Sequence, residues 1–310
     1  MSAFERVDVV PDTPAWQEER RRSIGASEMA AVMGLSSYMT PLDVYKSKMG
    51  VDRPFPAELA FYGHESEHII HKWVEQFSGL DIKLQPGFMA RSVEWPFLHA
   101  SFDRVSSAPF LTWQFKTSSA FSGHQWDEGI PTEIRVQVQA EMAVAGTPRA
   151  AVVVWIGGRE TRLYWEPRDD RFIREHLVPA AMSMWDGHVR AKVEPPVSTL
   201  AEVNAIVTDG TEIELSEQAF DTLERITVLN SDIQAQTEER DALKVVLGQY
   251  VGAADTLTHD GVKVATWRQQ KGRAGFDQKA FREAYPDLAQ QFTTVGQPFR
   301  VLRRTKTKEQ

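Results

Sequence analysis

Between residues 56 and 190 the chain changes its hydrophobic period in one particular order: helix, three strand-like runs, helix, two strand-like runs, helix. Residues from Pro56 to Ser78 carry apolar side chains at helical spacing. "IKLQPGFMARS", "WPFLHASFDRVS" and "FLTWQFKTS" read as strands, with "SSAPF" as the hairpin turn between the last two. "PTEIRVQVQAEMAVAG" is an amphipathic helix closed by Gly146. "RAAVVVWIGG" and "TRLYWEP" form a strand pair about "GGRE". "DDRFIREHLVPAAMSMWDGHVRAKV" is a helix that Pro179 should kink. This order predicts an α/β fold, a mixed central β-sheet flanked by helices.

The flanks have their own punctuation. "PDTPAWQEERRR" is a short helix entered through proline. "GASEMAAVMG" offers Ser27 as N-cap and Gly34 as stop, and "TPLDVYKSKMG" repeats the plan with Thr40, Pro41 and Gly50. The character changes near "VEPPVS". The expected organisation is a core at 1–193, a linker at 194–215 and a C-terminal extension at 216–310. That extension reads as a long polar helix followed by a small α+β element ending in a strand, "PFRVLRR". Its charge is uneven: residues 201–262 hold 3 Lys/Arg against 13 Asp/Glu, and residues 263–310 hold 11 against 4. The overall charge of −8 therefore does not veto a nucleic-acid partner, because a local basic surface sets phosphate contacts. The absence of cysteine excludes disulfides and thiolate metal sites. No apolar run approaches the length needed to span a bilayer, and the polar N-terminus does not read as a signal peptide. A reducing cytoplasm is the expected location.

Two stretches carry candidate chemistry. "YGHESEHIIH" contains H-E-x-x-H, which on a helix can bind zinc and hydrolyse peptides. On a helical projection Leu59, Ile70, Trp73 and Phe77 share one face with the small Gly63 and Ser66. His64, His68, His71 and Glu75 then point outward, and Glu67 falls on the flank between. A zinc protease stays a remote alternative. The second stretch places Asp103 at the end of one strand, with Gln114 and Lys116 two residues apart on the next and so on one face. A lysine inside an apolar strand needs a reason. It can be a fraying strand end paired with Asp103, or part of a site in which oxygen ligands hold magnesium and a lysine positions water.

The wider pattern decides between these. "WQEERRRSIGASEMAAVMGLSSYMTPLDVYKSKMG" resembles the opening signature of the YqaJ-like viral recombinase family, to which lambda exonuclease is similar. Gly63-x-x-x-Glu67, Asp103, x-x-Lys116 with Thr117, "QVQAEMAVAG" and "AAVVVWIGG" follow in the family's order, over roughly residues 14–190. The resemblance implies a PD-(D/E)xK nuclease with a restriction-endonuclease-like core. It also implies a metal-dependent 5′-to-3′ exonuclease acting on linear double-stranded DNA, generating 3′ overhangs for phage-type recombination in the cytoplasm of a bacterial host. Asp103, Glu67, Gln114 and the carbonyl of Phe115 would hold Mg2+, with Mn2+ as substitute. Lys116 would position water and steady the developing charge, with Gln137 beside it as a catalytic residue. Arg20, Ser27, Gln137 and Gln139 would contact DNA and its 5′-phosphate. The implied partners are DNA ends, a single-strand annealing protein and further copies of the chain in a ring. The sequence departs from the family at Gln114, where a carboxylate is usual. The alternative is therefore a catalytically impaired DNA-end-binding protein of the same fold.

Overall fold

The structure, a computed structural model, describes residues 2–52, 56–296 and 298–304. Its contacts divide the chain into two compact units, Met1–Val203 and Asn204–Gln310.

In the first unit β1 (Phe4–Val7) leads to α1 (Pro14–Arg21), capped by the Thr13 hydroxyl and started by Pro14. β2 (Ile24–Gly25) runs into a 3-10 turn, Ala26–Glu28, and α2 (Met29–Val32). Ser27 is not the expected N-cap. It lies inside the 3-10 turn and is exposed, while Gly25 holds the cap position and donates its N–H to Glu28 at 2.7 Å. α3 (Pro41–Lys48) has a capping box in which Thr40 and Asp43 bond each other's backbone N–H.

α4 (Ala57–Phe77) is the long helix of "YGHESEHIIH". It buries Ser66, Ile70 and Val74. Leu59 and Phe77, expected on that face, are exposed. They lie near the two ends of the helix, while the buried turns 66–70–74 follow the i, i+4 ridge that meets the sheet.

Seven short strands follow: β3 (Leu84–Pro86), β4 (Met89–Ser92), β5 (Leu98–Ser101), β6 (Arg104–Ser107), β7 (Phe110–Ser118), β8 (Arg149–Ile156) and β9 (Glu160–Pro167). They build two sheets instead of the one expected. The orders are β1-β4-β5-β2 and β3-β6-β7-β8-β9. Both are mixed: β2 runs parallel to β5 in the first and β7 parallel to β8 in the second, and the remaining pairs are antiparallel. The division falls at Gly87 and Phe102, where two sequence-continuous strands each change sheet. Gly87 donates its N–H to the Asp103 carbonyl, and a Cβ on it would lie 1.6 Å from the Phe102 carbonyl oxygen. Only glycine permits that crossing.

α5 (Thr132–Ala145) lies between the sheets. Val138 and Met142 pack on Val152 and Val154 of β8, and Val136, Ala140 and Val144 join the core of the first sheet. It ends at Gly146 in the left-handed conformation, φ +70°. α4 covers the opposite face through Ile70 and Val74, against Leu111, Trp113, Phe115 and Val153. The last helical stretch is α6 (Asp170–Phe172), a π-turn segment Ile173–Leu177, α7 (Val178–Met182) and a second π-turn segment Ser183–Arg190. Pro179, expected to kink this helix, lies in the first turn of α7 between the two π-turn segments, where its missing N–H leaves no helical bond unmade.

α8 (Leu200–Ala205) starts in the first unit, where Glu202 accepts from the Thr40 hydroxyl at 2.6 Å. The second unit holds α9 (Glu217–Val251), the hairpin β10 (Thr256–His259) and β11 (Val262–Thr266), then α10 (Gln278–Ala284) and α11 (Pro286–Gln291). None of its described residues is buried. "PFRVLRR" forms no strand over 298–304, and Gln297 lies outside the described residues. No helix among the described residues is long and apolar enough to cross a membrane.

Candidate active site

Asp103 owes its position to the change of sheet. The β6–β7 ladder ends at the pair Arg104–Trp113. Two residues further along β7, the N–H of Phe115 has lost its strand partner and donates to Asp103 Oδ2 at 2.7 Å. The same oxygen accepts from Gln114 Nε2 at 2.6 Å. Among the described residues both of Asp103's carboxylate hydrogen bonds fall on Oδ2, which leaves Oδ1 unengaged.

A chain of side chains runs on from there. Gln114 Oε1 accepts from Gln137 Nε2 at 3.0 Å, and the same nitrogen donates to Glu141 Oε1 at 2.8 Å. Gln137 Oε1 accepts from Lys116 Nζ at 3.0 Å. Lysine can only donate, so Gln137 must turn its oxygen to Lys116 and its nitrogen to Gln114. Gln114 must then present its oxygen to Gln137 and its nitrogen to Asp103. Its Nε2 also reaches the Phe115 carbonyl at 3.3 Å. Gln114 was expected to offer a metal its oxygen; as placed, it spans two other expected ligands with N–H bonds.

Glu67 approaches from α4 and pairs with Arg104 Nη1 at 2.8 Å. Arg104 also donates to the Asp103 carbonyl at 2.5 Å and to His71 Nδ1 at 3.3 Å. His71 is therefore half-buried and engaged, not outward-facing as the helical projection had it. His64 and His68 are exposed, but both line a cleft of about 570 Å³ that also touches Glu67, Asp103 and Arg104. A second cleft of about 300 Å³ is bounded by Gly63, Glu67, Asp103, Gln114, Phe115 and Lys116. It gathers the expected catalytic residues except Gln137.

Gln137 faces a small cavity of about 50 Å³ lined also by Arg20, Ser27, His99, Ser101 and Glu141. The Arg20 guanidinium lies 4.6 Å over the Trp16 ring, and among the described residues it forms no ion pair. A buried pair underlies this pocket: Lys48 Nζ bonds Glu28 at 2.6 Å and the Arg20 carbonyl at 2.7 Å. Burial holds the Lys48 pKa below the ordinary lysine value against the raising effect of Glu28. Burial, then the charges of Lys48, Arg20 and Arg91, push His99 well below the ordinary range, so its ring is neutral. Its Nδ1 lies 2.9 Å from the Ser23 hydroxyl.

Gln139 does not join the site. Two residues from Gln137 on a helix, it points elsewhere, and its amide is taken up by Glu166, the Pro167 carbonyl and the Asp169 N–H. Glu141, absent from the expected set, is 1% exposed. Burial, then the nearby Asp103 charge, push its pKa up to about 8, with Gln137 and Lys116 pulling the other way. Burial likewise raises Asp103 to about 6, opposed by Lys116, reinforced by Glu67 and opposed again by Phe115 N–H and Arg104. The signal for Glu141 was present in the sequence, since position 141 is one helical turn from Gln137 and shares its face. His99 and Arg104, read only as parts of strands, were missed as site residues.

Asp103, Glu67 and the Phe115 carbonyl are all hard oxygen donors and fit a divalent cation such as Mg2+. Among the described residues, no three His, Asp or Glu side chains converge as a ready-made metal cluster.

Residues 15–148, which span every element of the site from α1 to α5, match the YqaJ-like viral recombinase domain model. Over this segment the chain is similar to that family. The Bacillus subtilis (strain 168) protein YqaJ, itself described as uncharacterized, is 31% identical over 181 residues, or 56% of each chain. The match thus spans about half the length of that relative. Among solved structures, the alkaline exonuclease LHK-Exo from Laribacter hongkongensis covers 59% of this chain and 95% of its own, at 17% identity and TM-score 0.45. LHK-Exo in complex with dAMP gives TM-score 0.47. A phage related exonuclease from Haemophilus somnus 129PT covers 55% of this chain and 96% of its own, at 15% identity and TM-score 0.43. The YqaJ-like segment ends just before β8, so β8, β9 and everything C-terminal to them lie outside it.

Proposed function

We propose that the chain is an exonuclease that shortens linear double-stranded DNA from the 5′ end and leaves 3′ single-stranded overhangs. The observation that carries this reading is the double placement of Gln137. It bonds Lys116 in the Asp103 cleft and also lines the Arg20/Ser27 pocket. A terminal phosphate held by Arg20 and the Ser27 hydroxyl would leave the adjoining phosphodiester beside Lys116. The YqaJ-like segment covers both sites and supports the same reading.

Asp103, Glu67 and the Phe115 carbonyl would hold Mg2+, which when bound supplies a lowered pKa for water and a countercharge for phosphate oxygens. The chain's own groups do the rest. Lys116 donates from its ammonium to the attacked phosphate's equatorial oxygen and steadies the charge that builds there. Gln137 keeps that ammonium aimed across the cleft. Asp103, fixed by the Phe115 N–H, accepts from the attacking water. An annealing protein that takes up the 3′ strand, and a ring of copies enclosing the duplex, belong to this proposal. A mass measurement in solution tests the ring.

Incubation with Mg2+ and 5′-phosphorylated linear duplex, following nucleotide release, tests the activity. Release from the 5′-labelled end first is expected. No release under any divalent ion, with Gln114→Glu failing to restore it, sinks the nuclease reading. A second reading is favoured by one contact, the Gln114 N–H2 seated on Asp103. In it the protein binds DNA ends without cutting, and Gln114→Glu converts it into a nuclease.

A further inference from the structure

We propose that Glu141 is the third carboxylate of this site, moved one hydrogen-bonded step from strand β7 to helix α5, and that it acts through Gln137 and Gln114. The inference rests on reading the Asp103 cleft as the place of a divalent cation. Glu141 Oε1 and Gln114 Oε1 share a single donor, Gln137 Nε2, at 2.8 and 3.0 Å. Glu141 therefore sits immediately behind the strand position that carries an amide.

The charge count points the same way. Asp103 and Glu67 are matched by Lys116 and Arg104, so without another acid the cleft is formally neutral, a poor environment for a dication. Among the described residues Glu141 is the carboxyl left over; burial favours its protonated form in the free protein, and a cation in the cleft would draw that proton off and recruit the charge. Its burial is otherwise unexplained. It is 1% exposed, among the described residues it forms no ion pair, and its hydrogen bond is to Gln137. An apolar side chain of that size would fill the space at lower free-energy cost. A plain anchoring role for Gln137 would not need a charge, since a glutamine at 141 offers the same acceptor oxygen.

The test moves the carboxylate back. Mn2+ binding to the full chain is measured by calorimetry in the absence of DNA, alongside digestion and a melting curve for every variant. Glu141→Gln should weaken Mn2+ binding by about 10- to 100-fold, the range for partners of metal ligands. Gln114→Glu combined with Glu141→Gln should restore most of the lost binding. Should Glu141→Gln fail to fold, Gln137→Met cuts the same link and must give the same loss. Unchanged Mn2+ affinity in Glu141→Gln overturns the proposal. So does a loss that the double variant does not repair, since that is the behaviour of a structural anchor. A parent chain that binds no Mn2+ and digests no DNA removes the cation reading itself, a result distinct from either.

Discussion

A lysine in the middle of an apolar strand is tolerated here because one amide oxygen faces it. Lys116 reaches Gln137, and the polarity of that bond sets the direction of every amide down to Asp103. Lys116→Ala should therefore lower digestion by about 10²- to 10⁴-fold, the span of a positioned acid-base group. DNA-end binding, measured by a gel or fluorescence titration, should stay close to that of the parent. Equal loss of both would assign Lys116 to structure. Glu141 gives a second prediction at this scale. Its pKa is raised from 4.5 to about 8, so the folded chain favours the protonated form. The stability that this proton confers is fully present below about pH 4.5 and is lost as pH rises through about 8. Glu141→Gln cannot lose it. Between about pH 5 and 8 the stability difference should shift toward the variant by at most about 1.4 kcal/mol per pH unit. Urea midpoints at the two ends of the range measure the shift, and a constant difference would detach the group from proton linkage.

Two elements hold the site by close approach. The crossing at Gly87 lets β3 and β4 leave for different sheets, with the Phe102 carbonyl where a Cβ would be. Gly87→Ala should destabilise the chain by more than about 2 kcal/mol and depress digestion as well, because the displaced backbone carries Asp103. A urea melt checks the first and nucleotide release the second. The loop from α1 to α2 depends on the buried Lys48–Glu28 pair, which ties the Arg20 carbonyl and the Gly25 N–H together. Removing one partner, as in Lys48→Met, should cost about 3–5 kcal/mol because it strands a buried carboxylate. Replacing both with apolar residues should recover much of that loss in the same melt.

At the scale of the whole chain the two units differ in what can hold them. The first has buried clusters on both faces of its five-stranded sheet, while no described residue of the second is buried. Residues 1–203 expressed alone should melt cooperatively. Residues 204–310 alone should show helix without a cooperative transition, since surface burial is what offsets chain entropy. Circular dichroism on the two pieces distinguishes the cases, and a sharp transition in the second would contradict the prediction.

The sequence by itself determined the order and type of elements, because hydrophobic period and caps are local properties. The boundaries of α3, α4, α5, β7, β8 and β9 lie close to where Thr40, the period from Pro56, Gly146 and the apolar runs put them. Local signals also put Gln114 and Lys116 on one face of a strand. Only the tertiary structure decided that one apparent sheet is two, since the split depends on Gly87 meeting a backbone fifteen residues away. It also decided that Gln139 is tied to Glu166, that Arg104 takes Glu67 and His71, and that Glu141 stands behind Gln114. Each of these is a partnership between distant segments. A side chain's periodicity tells which way it leaves its own element, but which group it meets depends on the packing of the others.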